Sequence, residues 1–258
     1  MLRRCCSLVF AVSLLVACGS GGEVDAPGPE AFAGPLTVAA ASSLTAAFTA
    51  LQKDLAARSP QLALTLNFAG SQSLARQVEG GAEIDVIASA DERAISGLVD
   101  RRLVGRPTEF ARNRLAIAVA PGNPDGIRSL ADLGRAGLVV VLADPAVPLG
   151  NYSIEAFRKA RVPVPEVKSL ELDAVAAVTK VASGEADAAV VYANEIGSAR
   201  GRVEGVEIPD DQNVVAKYFV SVVESAPHRA TAEAFVQQLL SREGQDVLRA
   251  NGFLPPAR

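Results

Sequence analysis

The chain has 258 residues, of which 49% are hydrophobic and 21% charged, and its formal net charge is -4 at pH 7. This composition supplies enough apolar side chains for one large or two small cores, as in a globular protein. The Lys and Arg residues are scattered along an acidic chain, so the basic surface that nucleic acid binding needs is missing. We therefore expect no nucleic acid partner.

The first residues have the pattern of an export signal. An apolar run over 8–17 follows two arginines; it is too short to span a bilayer but has the length of a signal-peptide core. The run ends in LVACG, which resembles the lipobox of bacterial lipoproteins, where cleavage precedes a cysteine that is then lipidated. Residues 18–34, rich in Gly and Pro, predict a flexible tether.

We therefore expect a signal peptide at 1–17, a lipid anchor on Cys18 and a tether over 18–34. The protein would be exported and anchored to the outer face of the cell membrane. The alternative is a plain signal peptide with an incidental cysteine.

Residues 36–51, LTVAAASSLTAAFTAL, predict a strand that runs into a helix. The β-prone LTV comes first, and apolar residues from Leu44 onward recur at helical spacing. Ser43 thus lies at the start of a helix, where unpaired N–H groups and the helix dipole favour an anion. The commoner role of a serine at this position is to cap its own helix.

The same alternation continues along the chain. LALTLNFAG (62–70) predicts a strand that leads to Ser71 and a second helix. Further strands are predicted at 84–91, 113–124, 138–142, in DAAVVYANE up to Tyr192, and at 217–223. Further helices are predicted near 129–133, 154–160, after the N-cap Asp173, 231–240 and 242–250. This alternation predicts an α/β fold with parallel sheets covered by helices, in which ligands bind beyond the carboxyl ends of the strands.

Residues suited to catalysis are scarce. All three cysteines lie within the first eighteen residues, and the one histidine, His228, lies in a polar turn that we interpret as solvated surface. A thiol nucleophile, a zinc site and a histidine-dependent triad therefore lack candidate residues. We expect a protein that is not an enzyme and has no cofactor.

The sequence resembles the molybdate-binding proteins of bacterial molybdate ABC importers. Four segments carry the resemblance, which extends from 36 to 254: AAASSLT (39–45), FAGSQSLARQVEGGAEIDVIASAD (68–91), ADPAVPLGNY (143–152) and SGEADAAVVY (183–192). The resemblance implies an α/β, two-lobed periplasmic-binding-protein fold of type II. Each lobe would be a mainly parallel sheet flanked by helices, and two crossing hinge strands would join the lobes. We expect lobe 1 at 35–115 and 220–258, and lobe 2 at 116–219.

The resemblance also implies the ligand and its contacts. Molybdate, with tungstate as a near-isosteric competitor, would be bound by the hydroxyls of Ser43, Ser71 and Tyr192 and by the backbone N–H groups of Leu149 and Ala174. At the last two positions family members more often have Ala and Val, and only the main chain matters there. Molybdenum would be the sole metal, present only as the centre of the bound oxyanion. The expected partners are the permease and ATPase subunits of the importer and, through Cys18, the membrane; the chain is expected to be a monomer.

Alternatives remain open at the level of function. The same fold could bind another small oxyanion such as sulfate or phosphate, host an enzyme, or serve a lipoprotein that senses or adheres without transport. A phosphate site would be expected to contain a carboxylate acceptor and often an Arg, which the five positions do not supply. For Tyr192, the alternative is a core ring whose hydroxyl bonds to the backbone.

Overall fold

The computed structural model describes residues 25–257, and the structural statements below refer to that part of the chain. The predicted signal peptide and the predicted lipidation site Cys18 lie outside the described residues. Within 25–257, none of the helices combines the length and the apolar character needed to cross a bilayer.

Strands and helices alternate along the described chain. The strands are β1 (Gly34–Ala41), β2 (Leu62–Ala69), β3 (Val86–Ser89), β4 (Thr108–Asn113), β5 (Leu115–Val119), β6 (Val140–Ala143), β7 (Ser169–Glu171), β8 (Ala188–Tyr192), β9 (Glu204–Glu207) and β10 (Ala216–Val222). The α-helices are α1 (Thr45–Arg58), α2 (Ser71–Glu79), α3 (Glu92–Asp100), α4 (Pro148–Ala160), α5 (Ala174–Ala182), α6 (Ala193–Ser198), α7 (Arg229–Leu240) and α8 (Arg242–Ala250). Short 3-10 helices cover Pro29–Ala31, Ser42–Leu44 and Leu130–Gly134.

The strands form two mixed sheets of five strands each, flanked by helices. Their orders are β2-β1-β3-β10-β4 and β7-β6-β8-β5-β9. In both sheets the first three strands are parallel, while the fourth pairs antiparallel with both neighbours. The sheets are therefore mixed: four of the five strands in each point the same way, as predicted for mainly parallel sheets, and one runs against them. In each sheet the chain reaches the fourth strand, β10 or β5, directly from the other sheet. Parallel neighbours would instead require a strand–helix–strand crossover.

The chain crosses between the sheets twice, which defines two lobes. It leaves the first sheet after Asn113 and returns to it at Ala216. We define lobe 1 as residues 25–113 and 216–257, and lobe 2 as residues 114–215. The boundaries expected from the sequence, 115/116 and 219/220, differ by a few residues, because β4 and β5 follow each other without a loop that would mark the crossing.

The amino-terminal part of the described chain packs on lobe 1. Phe32 is 2% exposed and belongs to the main core, and the Ser59 hydroxyl donates to the carbonyl oxygen of Pro29 at 3.3 Å. Residues 29–34 were predicted to belong to the tether. The packed part of the chain instead begins near Pro29, because one aromatic side chain within the Gly- and Pro-rich segment anchors it to the core.

Side chains cap three of the helices. Asp91 at α3, Asp173 at α5 and Ser241 at α8 accept hydrogen bonds from backbone N–H groups at 3.0, 2.9 and 3.1 Å. The starts of α1, α2 and α4 have no such side-chain cap. The first N–H groups of these three helices are thus left without a side-chain acceptor.

Candidate anion-binding site

A small cavity lies between the lobes, at the carboxyl ends of β1, β2 and β3 on one side and of β6 and β8 on the other. Lobe 1 lines it with Ala41, Ser42, Ser43, Gly70, Ser71 and Ala90, and lobe 2 with Val147, Pro148, Leu149, Leu172, Asp173, Ala174 and Tyr192. The centre of a water-sized sphere can occupy a volume of about 20 Å³ within this cavity. A body of about 3 Å radius fits such a space. That is the size of a small tetrahedral oxyanion.

The structure brings all five predicted contact residues together around this cavity. Ser43 and Ser71 come from lobe 1, and Leu149, Ala174 and Tyr192 from lobe 2; each is buried. Leu149 is the second residue of α4 and Ala174 the first of α5. Their N–H groups lie in the first helical turn, where no intrahelical acceptor exists. The backbone donors at Leu149 and Ala174 therefore do not depend on which side chain stands at either position.

Neither predicted serine caps its helix. Ser43 lies in the 3-10 helix between β1 and α1, and its Oγ is 2.9 Å from the hydroxyl oxygen of Tyr218. Ser71 is the first residue of α2, and its Oγ accepts a hydrogen bond from the N–H of Ala90 at 3.1 Å. The capping alternative for Ser43 is therefore not observed, and both serines line the cavity.

Tyr192 ends β8 with its side chain 1% exposed, and among the described residues its hydroxyl has no hydrogen-bond partner. The alternative of a structural tyrosine bonded to the backbone is thus not observed. Burial raises the pKa of Tyr192 well above its ordinary value, so the phenol keeps its proton and can donate. A buried hydroxyl without a partner is rare in folded proteins and calls for an explanation.

The polar groups around the cavity are mainly neutral donors. Its lining, taken from the described residues, contains no Lys, Arg or His, and the one carboxylate, Asp173, accepts from the N–H of Ala176 as the α5 cap. Across residues 25–257, no group of three or more His, Cys, Asp or Glu side chains is arranged to hold a metal ion. Hydroxyls and helix-start N–H groups favour an anion that accepts hydrogen bonds and carries no proton of its own.

A buried hydrogen-bond network behind the cavity joins the lobes, and the sequence did not reveal it. The side-chain amide of Asn194 donates to the carbonyl oxygen of Ser43 at 2.9 Å, and that of Asn113 donates to Asn194 Oδ1 at 2.7 Å. Tyr218 contacts Ser43 from β10. Asn194 lies 151 positions from Ser43, and Tyr218 lies 175 positions from it, so no local pattern signals either contact.

Glu195 is a further residue that the sequence did not single out. It is 3% exposed in α6, and its Oε2 has no hydrogen-bond partner among the described residues. Burial, together with the charge of Asp173, raises the pKa of Glu195 to about 8. Its side chain lines a groove between α1, α5 and α6 that Ser43 also lines.

His228 lies far from this site. Its backbone N–H donates to Asp85 Oδ1 at 3.0 Å, and its Nδ1 lies 3.2 Å from the same oxygen. Asp85 precedes β3, at the end of the sheet opposite the cavity. His228 is thus a partly buried structural contact, and the expectation of a solvated residue was wrong.

Comparison with known proteins supports this picture. Residues 36–254 match the family model described as bacterial extracellular solute-binding protein. The molybdate-binding protein ModA of Mycobacterium tuberculosis is 37% identical over 247 residues, which cover 95% of this chain and 94% of that protein. This similarity confirms the resemblance found in the sequence.

Solved structures share the fold. The molybdate-binding protein of Azotobacter vinelandii superposes with a TM-score of 0.72 at 18% identity, covering 86% of this chain and 100% of that chain. The sulfate-binding protein SubI of M. tuberculosis superposes with a TM-score of 0.76 at 20% identity, covering 86% of each chain. At these identities the comparison establishes the α/β two-lobed fold alone. Together with the family match, it shows that the chain belongs to the bacterial extracellular solute-binding proteins.

Proposed function

We propose that this protein captures molybdate outside the cytoplasm for an ABC importer, and that tungstate competes for the same site. The observation that carries the proposal is the unpartnered hydroxyl of Tyr192 in a cavity bordered by other donors. One tetrahedral anion could accept from the hydroxyls of Tyr192, Ser43 and Ser71 and from the N–H groups of Leu149 and Ala174. Ligand binding would then satisfy donors that the protein itself leaves free.

Selectivity would follow from the kind of donor. A lysine would attract any anion, whereas neutral donors in fixed positions select by size and by the absence of protons. An anion that carries an O–H would leave that group unmatched in a buried site. Each hydrogen bond to a charged group is worth about 1.5–3 kcal/mol, so five of them can offset the removal of the anion from water.

Sulfate is the second candidate, because neutral donors suit any unprotonated tetrahedral anion and a solved structure with the same fold is named a sulfate-binding protein. Cavity size is then the deciding property. Phosphate is less favoured, because it carries a proton at neutral pH and the one lining carboxylate, Asp173, already caps α5. An enzyme on this fold is also less favoured, because the lining residues contain no nucleophile paired with a base.

The remaining features of the proposal come from the sequence. Cys18 would carry the lipid anchor, the permease and ATPase subunits would be the partners, and the protein would act as a monomer without a cofactor. Metabolic labelling with a radioactive fatty acid tests the anchor. We expect label on the parent protein and none on Cys18→Ala; equal label on both would contradict it.

Calorimetric titration with molybdate, tungstate, sulfate and phosphate tests the ligand. We expect binding of molybdate and tungstate, and an affinity for molybdate roughly 10- to 150-fold lower in Tyr192→Phe. The same variant should melt no earlier than the parent without ligand, because the hydroxyl has no protein hydrogen bond to lose. Ser221→Ala, which removes a buried hydroxyl within lobe 1 that does not line the cavity, is the control for affinity.

Two outcomes would contradict the proposal. Heat with sulfate or phosphate but none with molybdate would assign another ligand. A Tyr192→Phe variant that melts earlier and binds molybdate like the parent would make Tyr192 a structural residue.

A further inference from the structure

Tyr218 lies directly behind Ser43 and does not line the cavity. Its side chain is 0% exposed, and its hydroxyl oxygen is 2.9 Å from Ser43 Oγ. The ring is fixed by edge contacts with Phe110, Tyr192 and Phe253, at centroid distances of 6.3, 5.8 and 5.2 Å. Tyr218 therefore presents its hydroxyl to Ser43 from a rigid position.

The surroundings favour one direction for the hydrogen bond between Tyr218 and Ser43. A buried phenol needs an acceptor for its proton, and Ser43 Oγ lies within hydrogen-bond distance of the Tyr218 hydroxyl. The side chain of Asn113 also contacts this phenol and lowers its pKa, so Asn113 acts towards Tyr218 as a donor. Burial raises the pKa of Tyr218 well above its ordinary value, so the proton stays on the phenol. Either hydroxyl can donate at this distance, and with Tyr218 as the donor the proton of Ser43 is free to point into the cavity.

Ser71 shows the same arrangement with a different donor. Its Oγ accepts from the N–H of Ala90 at 3.1 Å, and a backbone N–H cannot reverse its role. With Tyr218 as the donor to Ser43, each of the two serine hydroxyls at the cavity has a donor behind it. Each retains its own proton for a group on the cavity side.

We propose that Tyr218 is a positioning residue that also determines specificity: by donating to Ser43 Oγ, it commits the Ser43 hydroxyl to donate to the bound anion. This inference rests on the proposed function, because it requires Ser43 to contact the anion. A chain of hydrogen bonds in one direction strengthens its last member. A protonated anion would find no acceptor at Ser43, and its O–H would be left unmatched.

A double-mutant cycle with Tyr218→Phe and Ser43→Ala tests this role. The phenylalanine keeps the packed ring and removes only the donor. We expect it to weaken molybdate binding roughly 3- to 10-fold in the parent, but less than about 2-fold in the Ser43→Ala background, because the effect passes through Ser43. Excess phosphate should displace molybdate more easily from Tyr218→Phe than from the parent, since the freed serine oxygen can then accept a hydrogen bond from the O–H group of phosphate.

The control is again Ser221→Ala, which removes a buried hydroxyl that donates to the carbonyl oxygen of Gly105 within lobe 1 and does not contact Ser43. It should leave both the molybdate affinity and the phosphate competition unchanged. Equal losses for Tyr218→Phe in both backgrounds would reduce Tyr218 to a structural residue and overturn the inference, as would no loss at all. If Ser43→Ala itself binds molybdate like the parent, the proposed site fails at Ser43 and the inference fails with it.

Discussion

Glu195 is buried, and no positive charge in the described part of the chain compensates it. The protonation state of Glu195 therefore decides how much this residue destabilises the fold. Its pKa is raised to about 8 in the folded protein from an ordinary value of 4.5, first by burial and then by Asp173. Between these values the folded state holds a proton that the unfolded chain has released. The free energy of unfolding must therefore fall as the pH rises from 4.5 to about 8.

Glu195→Gln should remove this pH dependence. Thermal melting without ligand should give similar midpoints for variant and parent near the lower end of that range. At pH values above about 8 the variant should be more stable, by an amount on the order of a few kcal/mol. Glu83→Gln, at an exposed glutamate, is the control and should follow the parent. If the melting midpoints of the parent and of Glu195→Gln changed with pH in the same way, Glu195 would be ionised in the folded protein.

Individual site residues differ in how far the sequence revealed them. Ser43, Ser71 and Tyr192 each lie where a strand meets a helix, so local periodicity located them and the family resemblance suggested their roles. Tyr218 and Glu195 carried no such signal. Their importance depends on which distant groups surround them once the lobes have packed, and a single sequence does not contain that information.

At the level of helices, serines in different positions should separate binding from capping. Ser43→Ala and Ser71→Ala should each weaken molybdate binding roughly 10- to 150-fold, because each removes a hydrogen bond to a charged group. Ser241→Ala is the matched control: it removes the side-chain acceptor at the start of α8. It should lower stability by about 1 kcal/mol and leave binding intact.

Titration and ligand-free melting measure the two effects separately. If Ser43→Ala or Ser71→Ala behaved like Ser241→Ala, losing stability and retaining affinity, the hydroxyls at the cavity would be structural.

The order of strands and helices was largely predictable, while strand direction and the shortest elements were not. Hydrophobic periodicity revealed β1, β2, β8, α7 and α8, because each is long enough to show a repeat. Strands β7 and β9, with three and four residues, are short and largely exposed, so they lack the buried apolar run that reveals β3 and β6. Strands β5 and β10 each run antiparallel to their neighbours in their own sheet. Their direction follows from the path of the chain between the lobes, which local sequence does not encode.

For the whole molecule, closure of the lobes depends on a close approach at Gly70. A Cβ atom there would lie 2.7 Å from the carbonyl oxygen of Leu172 in the other lobe. Gly70 has φ -62, which alanine also adopts, so Gly70→Ala should fold normally and resist closure. We expect its molybdate affinity to fall roughly tenfold or more.

Small-angle X-ray scattering measures the closure directly. Molybdate should reduce the radius of gyration of the parent, because an anion held by both lobes favours the closed state. The reduction should be smaller for Gly70→Ala. Gly97→Ala, whose added methyl group would meet no atom within 4 Å, should close like the parent. An unchanged radius of the parent at saturating molybdate would mean that the anion does not bridge the lobes.

Asn213 gives the two chain crossings a mechanical property. Its side chain accepts from the N–H of Leu115 at 3.0 Å and donates to the carbonyl oxygen of Leu115 at 2.9 Å. These two hydrogen bonds hold one crossing against the other. Such a joint can bend, but it resists sliding of one crossing along the other. We therefore expect opening and closing of the lobes to bring the donors of both lobes back into the same alignment.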